Sequence, residues 1–216
     1  MEAEPVITPP PAVKPVQAVP EPKVKTRKTA KSVWVLGASL GGPMAVKHFL
    51  SYLPENLPLA FVLAQHIGES HIDLLGEQLD RATQLTVMTA KPGHIIQNSE
   101  VILAPIEKRI VIDNKGEVSL QELETDSIYT PSIDDVMADI ANTYNNNTGA
   151  IIFSGMGNDG EKGCQAIKDH GGIIWAQEPE SCVISSMPDC ARRTGYVEFN
   201  GTPQELANEL IRHFAN

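Results

Sequence analysis

The chain has 216 residues, of which 17 are basic and 27 acidic, so its formal net charge at pH 7 is −10. Such an acidic chain is poorly suited to nonspecific binding of a phosphate backbone, and we expect no nucleic-acid partner. No apolar run approaches the roughly 20 residues that a membrane-spanning helix needs. Its three cysteines show no CxxC spacing and its start shows no signal-peptide pattern, which predicts a reduced, cytoplasmic protein without membrane insertion.

Residues 1–31 differ in composition from the rest of the chain. They hold seven of the sixteen prolines and show no apolar periodicity, which predicts a proline-rich, disordered linker or tail. Six basic and three acidic residues give this segment a charge of +3. Since the whole chain carries −10, the remaining residues carry −13. We predict one folded domain over residues 32–216.

The first predicted strand begins at Val33 and runs directly into a glycine-rich turn, Gly37–Gly42. After the turn, apolar residues at helical spacing predict a helix from Pro43 to Leu53. Ser39 therefore lies on a sharp strand-to-helix turn. Its Gly-x-Ser-x-Gly context is typical of a nucleophile elbow, in which glycines surround a strained serine.

Two other interpretations of this turn remain open. In the first, Ser39 only caps the following helix. In the second, Gly37 and Gly42 are the outer glycines of a dinucleotide-binding turn. Ser39 would then replace the middle glycine, and the next strand ends without the acidic residue that would bind a ribose.

The second predicted strand, Leu59–Ala64, is a continuous apolar run followed by Gln65 and His66. A right-handed βαβ connection makes this strand parallel to the first. His66 then lies at the same sheet edge as Ser39, where ligands and catalytic groups of open α/β sheets gather. A buried structural histidine is the alternative for His66.

The rest of the chain alternates between predicted strands and helices. The predicted elements are a helix at Asp73–Arg81, strands at Leu85–Met88 and Val101–Leu103, a hairpin of Arg109–Asp113 with Glu117–Gln121, a helix capped by Ser132, a strand at Ala150–Phe153, a helix at Glu161–His170, a strand at Ile173–Ala176, a helix at Ser185–Thr194 and a last helix from Thr202 to Phe214. This order predicts an α/β fold: a doubly wound, mostly parallel sheet with helices on both faces and an antiparallel hairpin at one edge.

Three chemically complementary residues follow predicted parallel strands: Ser39, His66 and Asp159, the last in a second glycine-rich turn, Ser154–Gly160. A serine hydroxyl becomes nucleophilic when an imidazole takes its proton, and a carboxylate orients that imidazole. The chain order Ser, His, Asp differs from that of α/β-hydrolases. Asp159 could instead be an ordinary helix N-cap. No ligand spacing predicts a metal, and we expect no cofactor.

Several motifs occur together in a characteristic order. They are Gly37-Ala-Ser-Leu-Gly-Gly-Pro43, Gln65-His66, Ala104-Pro105, Pro131-Ser-Ile-Asp134, Gly155-Met-Gly-Asn-Asp-Gly160 and Ser181-Cys-Val-Ile-Ser-Ser-Met-Pro188. Across about residues 32–214 the chain resembles the catalytic domain of CheB-type chemotaxis methylesterases.

This resemblance implies hydrolysis of glutamate γ-methyl esters on chemoreceptor helices during sensory adaptation, with deamidation of receptor glutamines as a further activity. It implies Ser39 as nucleophile, His66 as base, Asp159 as its orienting carboxylate, and the backbone N–H groups of Leu40 and Met156 as the oxyanion hole. The implied supporting residues are Gly37, Gly41, Gly42, Gln65, Gly155, Gly157 and Gly160.

The resemblance also bears on partners. A chemotaxis kinase or receptor array is a further implied partner, and an upstream receiver domain is expected if the chain is a fragment. Leu40, Ile106 and Thr130 depart from the usual family residues, at positions that could alter docking. The alternative hypothesis is therefore a catalytically silent domain of the same fold that binds the receptor array.

Overall fold

The structure is a computed structural model that describes residues 27–123 and 128–215. Its strands are β1 (Val33–Ala38), β2 (Ala60–Gln65), β3 (Thr86–Thr89), β4 (Glu100–Leu103), β5 (Lys108–Ile112), β6 (Val118–Glu122), β7 (Thr148–Ile152), β8 (Ile173–Gln177) and β9 (Val197–Gly201). Its α-helices are α1 (Gly42–Ser51), α2 (Ile72–Asp80), α3 (Ile133–Tyr144), α4 (Glu161–Asp169), α5 (Ser186–Arg193) and α6 (Pro203–Ala215).

Seven strands form one parallel sheet in the order β3-β4-β2-β1-β7-β8-β9. Every residue of β1, β2 and β7 is buried, as expected for central strands that helices cover on both faces. β1 lies between β2 and β7, so the chain builds the sheet outward from β1 in both directions. The predicted doubly wound parallel sheet is confirmed.

Each face of the sheet has its own apolar core. On one face β1 contributes Trp34 and Leu36, which pack with buried residues of α1, α2 and α6. On the other face Val33 and Val35 pack with α3, α4, α5 and the β5–β6 hairpin. Successive strand residues point to opposite faces, so a single apolar run supplies both cores. None of the helices in the described ranges is both long and apolar enough to cross a membrane.

Two features differ from the prediction in detail. The antiparallel hairpin β5–β6 exists, but it forms a separate two-stranded sheet and packs against α3 instead of extending the edge of the large sheet. The edge strand β9 was not predicted, because its alternating Val-Glu-Phe-Asn pattern is short and only half buried. Both elements are defined by tertiary contacts more than by local apolar runs.

Ordered packing begins before the predicted domain start at residue 32. The backbone N–H of Ala30 donates to the carbonyl of Ile96 at 2.9 Å, and the N–H of Asn98 donates to the carbonyl of Lys28 at 2.8 Å. Ala30 is buried. Residues 1–26, the larger part of the predicted linker, lie outside the described residues.

Candidate active site

Ser39 is the first residue after β1, in the turn that leads into α1. Its N–H donates to the carbonyl of Ser154 at 3.1 Å, and its own carbonyl accepts the N–H of Gly42 at 2.9 Å. The prediction that the backbone of Ser39 is strained is wrong. Ser39 does not have a positive φ, since the described non-glycine residues with positive φ are Ser99 and Asn145. The left-handed residue of this turn is Gly41, with φ 80°, so a glycine absorbs the sharp change of direction.

His66 follows β2 and lies beside the Ser39 turn. Ala38 and Gln65 are register partners at the ends of β1 and β2, and the N–H of His66 donates to the carbonyl of Ala38 at 2.9 Å. The buried Gln65 amide donates from Nε2 to the carbonyls of both Ser39 (3.0 Å) and His66 (3.1 Å). The two residues are therefore held together by the sheet and by one side chain.

Asp159 is hydrogen-bonded to His66 across a gap of 93 residues in the sequence. Nε2 of His66 lies 2.8 Å from Oδ2 of Asp159, whose side chain is only 1% exposed. With the proton on Nε2, Nδ1 is left as a proton acceptor. Asp159 is not the N-cap of α4, a position occupied by Gly160. Its carboxylate instead accepts the N–H groups of Ile133 and Asp134, at the start of α3.

Tyr129 covers one face of the His66 ring. The two rings are parallel within 3°, with centroids 5.0 Å apart, and the His66 side chain is 14% exposed. Stacking of this kind restricts rotation of the imidazole and limits its contact with water. Nothing in the local sequence around Tyr129 indicated this contact, since it joins positions 63 residues apart in the chain.

The second glycine-rich turn packs directly against Ser39. A Cβ added at Gly155 would lie 2.8 Å from Cβ of Ser39, so only glycine permits this approach. Oγ of the buried Ser154 donates to the carbonyl of Leu40 at 2.9 Å and accepts the N–H of Ile184 at 3.1 Å, which ties three loops together. Within the described residues, the N–H groups of Leu40 and Met156 donate no hydrogen bond.

The remaining glycines predicted to support the site have different positions. Gly37 is the penultimate residue of β1, where Ile133 and Ile152 pack on it. Gly42 begins α1 and lies against Ala38 and the Gln65 amide. The N–H of Gly157 donates to Oγ of Ser186 at 3.0 Å. Gly160 is the N-cap residue of α4.

A second carboxylate, that of Asp134, lies next to Asp159. It accepts the N–H groups of Gly160 and Gly163, and it is half buried. Burial raises the pKa of Asp134, and the nearby charge of Asp159 raises it further. Asp134 lies in the Pro131–Asp134 motif, but sequence reasoning assigned it no role.

Apolar side chains surround the Ser39 turn. Leu40 is 54% exposed, Met44 70%, Met156 57% and Val183 71%. A groove of about 540 Å³ opens beside the turn, and Gly41, Met44, His48, Val183 and Pro203 are among its lining residues. An exposed apolar margin of this kind suits contact with another macromolecule.

Two of the three cysteine thiols have raised pKa values. Burial raises the pKa of the Cys164 thiol to about 12 and that of the Cys182 thiol to about 11, so both are protonated near neutral pH. Across residues 27–123 and 128–215, no three His, Cys, Asp or Glu side chains are grouped as metal ligands.

Comparison with known proteins assigns the chain to a family. The family model described as CheB methylesterase matches residues 34–210, which is most of the chain. The chain belongs to the CheB methylesterase family. A protein-glutamate methylesterase/protein-glutamine glutaminase of Saccharophagus degradans is 32% identical over 187 residues, covering 86% of this chain and 51% of that protein.

Other members of the CheB methylesterase family give the same result. A protein of the same name from Pseudomonas aeruginosa is 33% identical over 162 residues, covering 75% of this chain and 44% of its own length. The chain thus spans about half the length of the curated relatives it matches. The crystal structure of the Thermotoga maritima CheB methylesterase catalytic domain superposes with a TM-score of 0.80 at 29% identity, covering 84% of this chain and 97% of that one.

Proposed function

We propose that this chain is a protein-glutamate methylesterase domain that hydrolyses γ-methyl esters of glutamates on chemoreceptor helices. The observation that carries the proposal is the 2.8 Å hydrogen bond between His66 and Asp159, formed beside the Ser39 turn. The proposal includes Ser39 as nucleophile, His66 as general base and Asp159 as orienting carboxylate. No cofactor takes part in it.

In the first half of the reaction, Oγ of Ser39 attacks the ester carbonyl carbon while Nδ1 of His66 takes the hydroxyl proton. Asp159 stabilises the resulting imidazolium through Nε2. The N–H groups of Leu40 and Met156 bind the oxyanion, and their lack of other acceptors in the described residues supports this role. The C–O bond to the methoxy group then breaks, and methanol leaves with the proton from His66.

In the second half, a water molecule attacks the Ser39 acyl ester. His66 takes a proton from this water and returns it to Oγ of Ser39 as the bond between Oγ and the acyl carbon breaks, and the released glutamic acid side chain then ionises to the carboxylate by losing its proton to water. Deamidation of a glutamine follows the same steps, with ammonia as the leaving group. Both activities appear in the names of the curated relatives.

The proposed partners follow from the same assignment. They are the cytoplasmic helices of a methyl-accepting chemoreceptor, with the chemotaxis kinase or receptor array as a further partner. The exposed apolar margin around Leu40 and Val183 supports docking of a macromolecular substrate at this edge. We further propose a cytoplasmic location, a linker function for residues 1–31, and a receiver domain upstream if the chain is part of a longer protein.

The second candidate is a catalytically silent domain that binds the receptor array. It is favoured by one observation, that Leu40 places an exposed leucine directly beside Ser39 where the family usually has threonine. Such a domain would bind receptors without releasing methanol.

The experiment that tests the esterase is methanol release from membranes that carry methylated receptors. Wild-type protein is expected to release methanol, and Ser39→Ala is expected to lose on the order of 10⁴-fold or more in kcat while staying folded. Ser119→Ala is the matched control, because this exposed serine lies on the β5–β6 hairpin. It should retain wild-type activity.

Two results would contradict the proposal. Near-wild-type methanol release by Ser39→Ala would exclude Ser39 as the nucleophile. Receptor binding by wild-type protein without any methanol release would favour the silent domain, and Leu40→Thr would then be the variant to test for recovered activity.

A further inference from the structure

The N-termini of α3 and α4 face each other and exchange capping carboxylates. Asp159, just before α4, accepts the N–H of Ile133 at 2.8 Å and the N–H of Asp134 at 2.9 Å, both in the first turn of α3. Asp134, in that first turn, accepts the N–H of Gly160 at 2.9 Å and the N–H of Gly163 at 2.7 Å, at the start of α4. Each helix is thus capped by an acid from the other.

This exchange fixes the direction of the Asp159 carboxylate. Oδ2 of Asp159 receives hydrogen bonds from both His66 and Ile133, while Oδ1 receives one from Asp134. The very next N–H in the chain, that of Gly160, is bound by Asp134. The backbone on the C-terminal side of Asp159 is therefore anchored to the same helix turn that binds its side chain.

Close packing of the two helices reinforces the arrangement. A Cβ at Gly163 would lie 3.2 Å from Cα of Asp134 and 2.8 Å from Cβ of Met137, so α4 approaches α3 more closely than an alanine would permit. The positive ends of both helix dipoles point at the two carboxylates and offset their mutual repulsion. The buried Asp159 and the half-buried Asp134 thus accept hydrogen bonds from the backbone and from the imidazole of His66.

We propose that Asp134 is a positioning residue of the active site: by accepting the Gly160 and Gly163 N–H groups, it holds Asp159 in the orientation that binds His66. Asp134 touches neither His66 nor the reacting atoms. It acts through the Asp159–Gly160 backbone. This inference rests on the proposed esterase function, and it assigns a role to an acid outside the Ser39, His66 and Asp159 set.

The test compares three variants in the methanol-release assay, with kcat and KM measured separately. Asp134→Ala removes both contacts, and we expect kcat to fall roughly 10- to 100-fold with KM unchanged, because small misplacements of catalytic groups have effects of this size. Asp134→Asn retains Oδ1, the oxygen that accepts both hydrogen bonds, and is expected to recover most of the lost kcat.

The matched control is Asp135→Asn. Asp135 is the next residue in the same helix turn, and within the described residues its carboxylate makes no hydrogen bond or ion pair. It should match wild type in both kcat and KM. The His66 ring N–H resonance in proton NMR gives a readout that needs no substrate: it should shift in Asp134→Ala and return in Asp134→Asn.

Wild-type kcat and an unshifted His66 resonance in Asp134→Ala would overturn the inference. So would an Asp134→Asn variant as slow as Asp134→Ala, since charge and not the backbone contacts would then matter. If Asp134→Ala does not fold, Asp134→Ser, with a shorter acceptor, takes its place in the same comparison. Absence of methanol release from wild-type protein would instead refute the esterase proposal, and the NMR comparison would still test the positioning role.

Discussion

Two buried glutamines at the carboxyl ends of strands connect the loops of the candidate site. Gln65, the last residue of β2, donates to the carbonyls of Ser39 and His66. Gln177, at the end of β8, accepts the N–H of Ser154 at 2.9 Å and donates to the carbonyl of Ser181 at 2.8 Å. Each of these amides forms hydrogen bonds to the backbones of two loops, and so connects them beyond the ends of the strands.

Gln65→Leu should therefore disturb the site more than the fold. It removes both donated hydrogen bonds and leaves the partly buried His66 carbonyl without that partner, at a cost of about 1–3 kcal/mol in the free energy of unfolding. Because Ser39 and His66 lose their shared contact, we expect kcat to fall by up to about 100-fold. Steady-state methanol release and urea denaturation measure the two effects. A variant that loses stability but keeps wild-type kcat would show that Gln65 does not position the site.

At the scale of elements, a glycine in α4 allows this helix to approach α3 closely. Gly163 in α4 lies against Asp134 and Met137 of α3, at the contact that orders the two capping acids. Gly76 in α2 has a comparable helical position, but the nearest atom to an added Cβ there is Cδ2 of Leu103 at 3.5 Å, an ordinary contact.

This difference predicts opposite effects of the same substitution. Gly163→Ala should lower the free energy of unfolding by about 1–3 kcal/mol, since the added methyl overpacks the α3–α4 contact. Gly76→Ala should raise it by roughly 0.5–1 kcal/mol, because alanine is the better helix former and has room. Urea denaturation of both variants beside wild type measures the difference. Equal changes in the free energy of unfolding of the two variants would mean that helix propensity alone determines the effect of the substitution.

At the scale of the whole molecule, one sheet separates two cores and makes each depend on the other. Trp34 in β1 and Trp175 in β8 meet edge to face on one side, with ring centroids 4.7 Å apart, and are 1% and 3% exposed. Neighbouring residues of the same strands pack into the opposite core. Neither core can be lost while the central strands remain intact.

We accordingly expect residues of the folded domain to unfold in a single cooperative transition. Tryptophan emission, which reports the core around α1 and α6, should shift to longer wavelength at the same urea concentration at which far-UV circular dichroism and methanol release are lost. Transitions separated in urea concentration would show that the two faces unfold independently.

Local patterns in the sequence determined the strands, helices and turns that form the frame of this protein. Continuous apolar runs predicted the central strands, and the glycine-rich turns predicted where Ser39 and Asp159 follow them, because these signals lie within a few consecutive residues. The motif around Ser39 and the Gly155–Gly160 turn together indicated the family to which the chain belongs.

Only the tertiary structure decided which groups meet. The carboxylate of Asp159 caps α3 and not the following helix α4, Asp134 caps α4 in return, and Tyr129 stacks on His66. The hairpin packs on α3 instead of the sheet edge, and the left-handed residue of the Ser39 turn is Gly41, not Ser39. Each of the three side-chain contacts joins residues at least 25 positions apart in the chain, so it depends on how helices and strands pack in space, which no local pattern encodes.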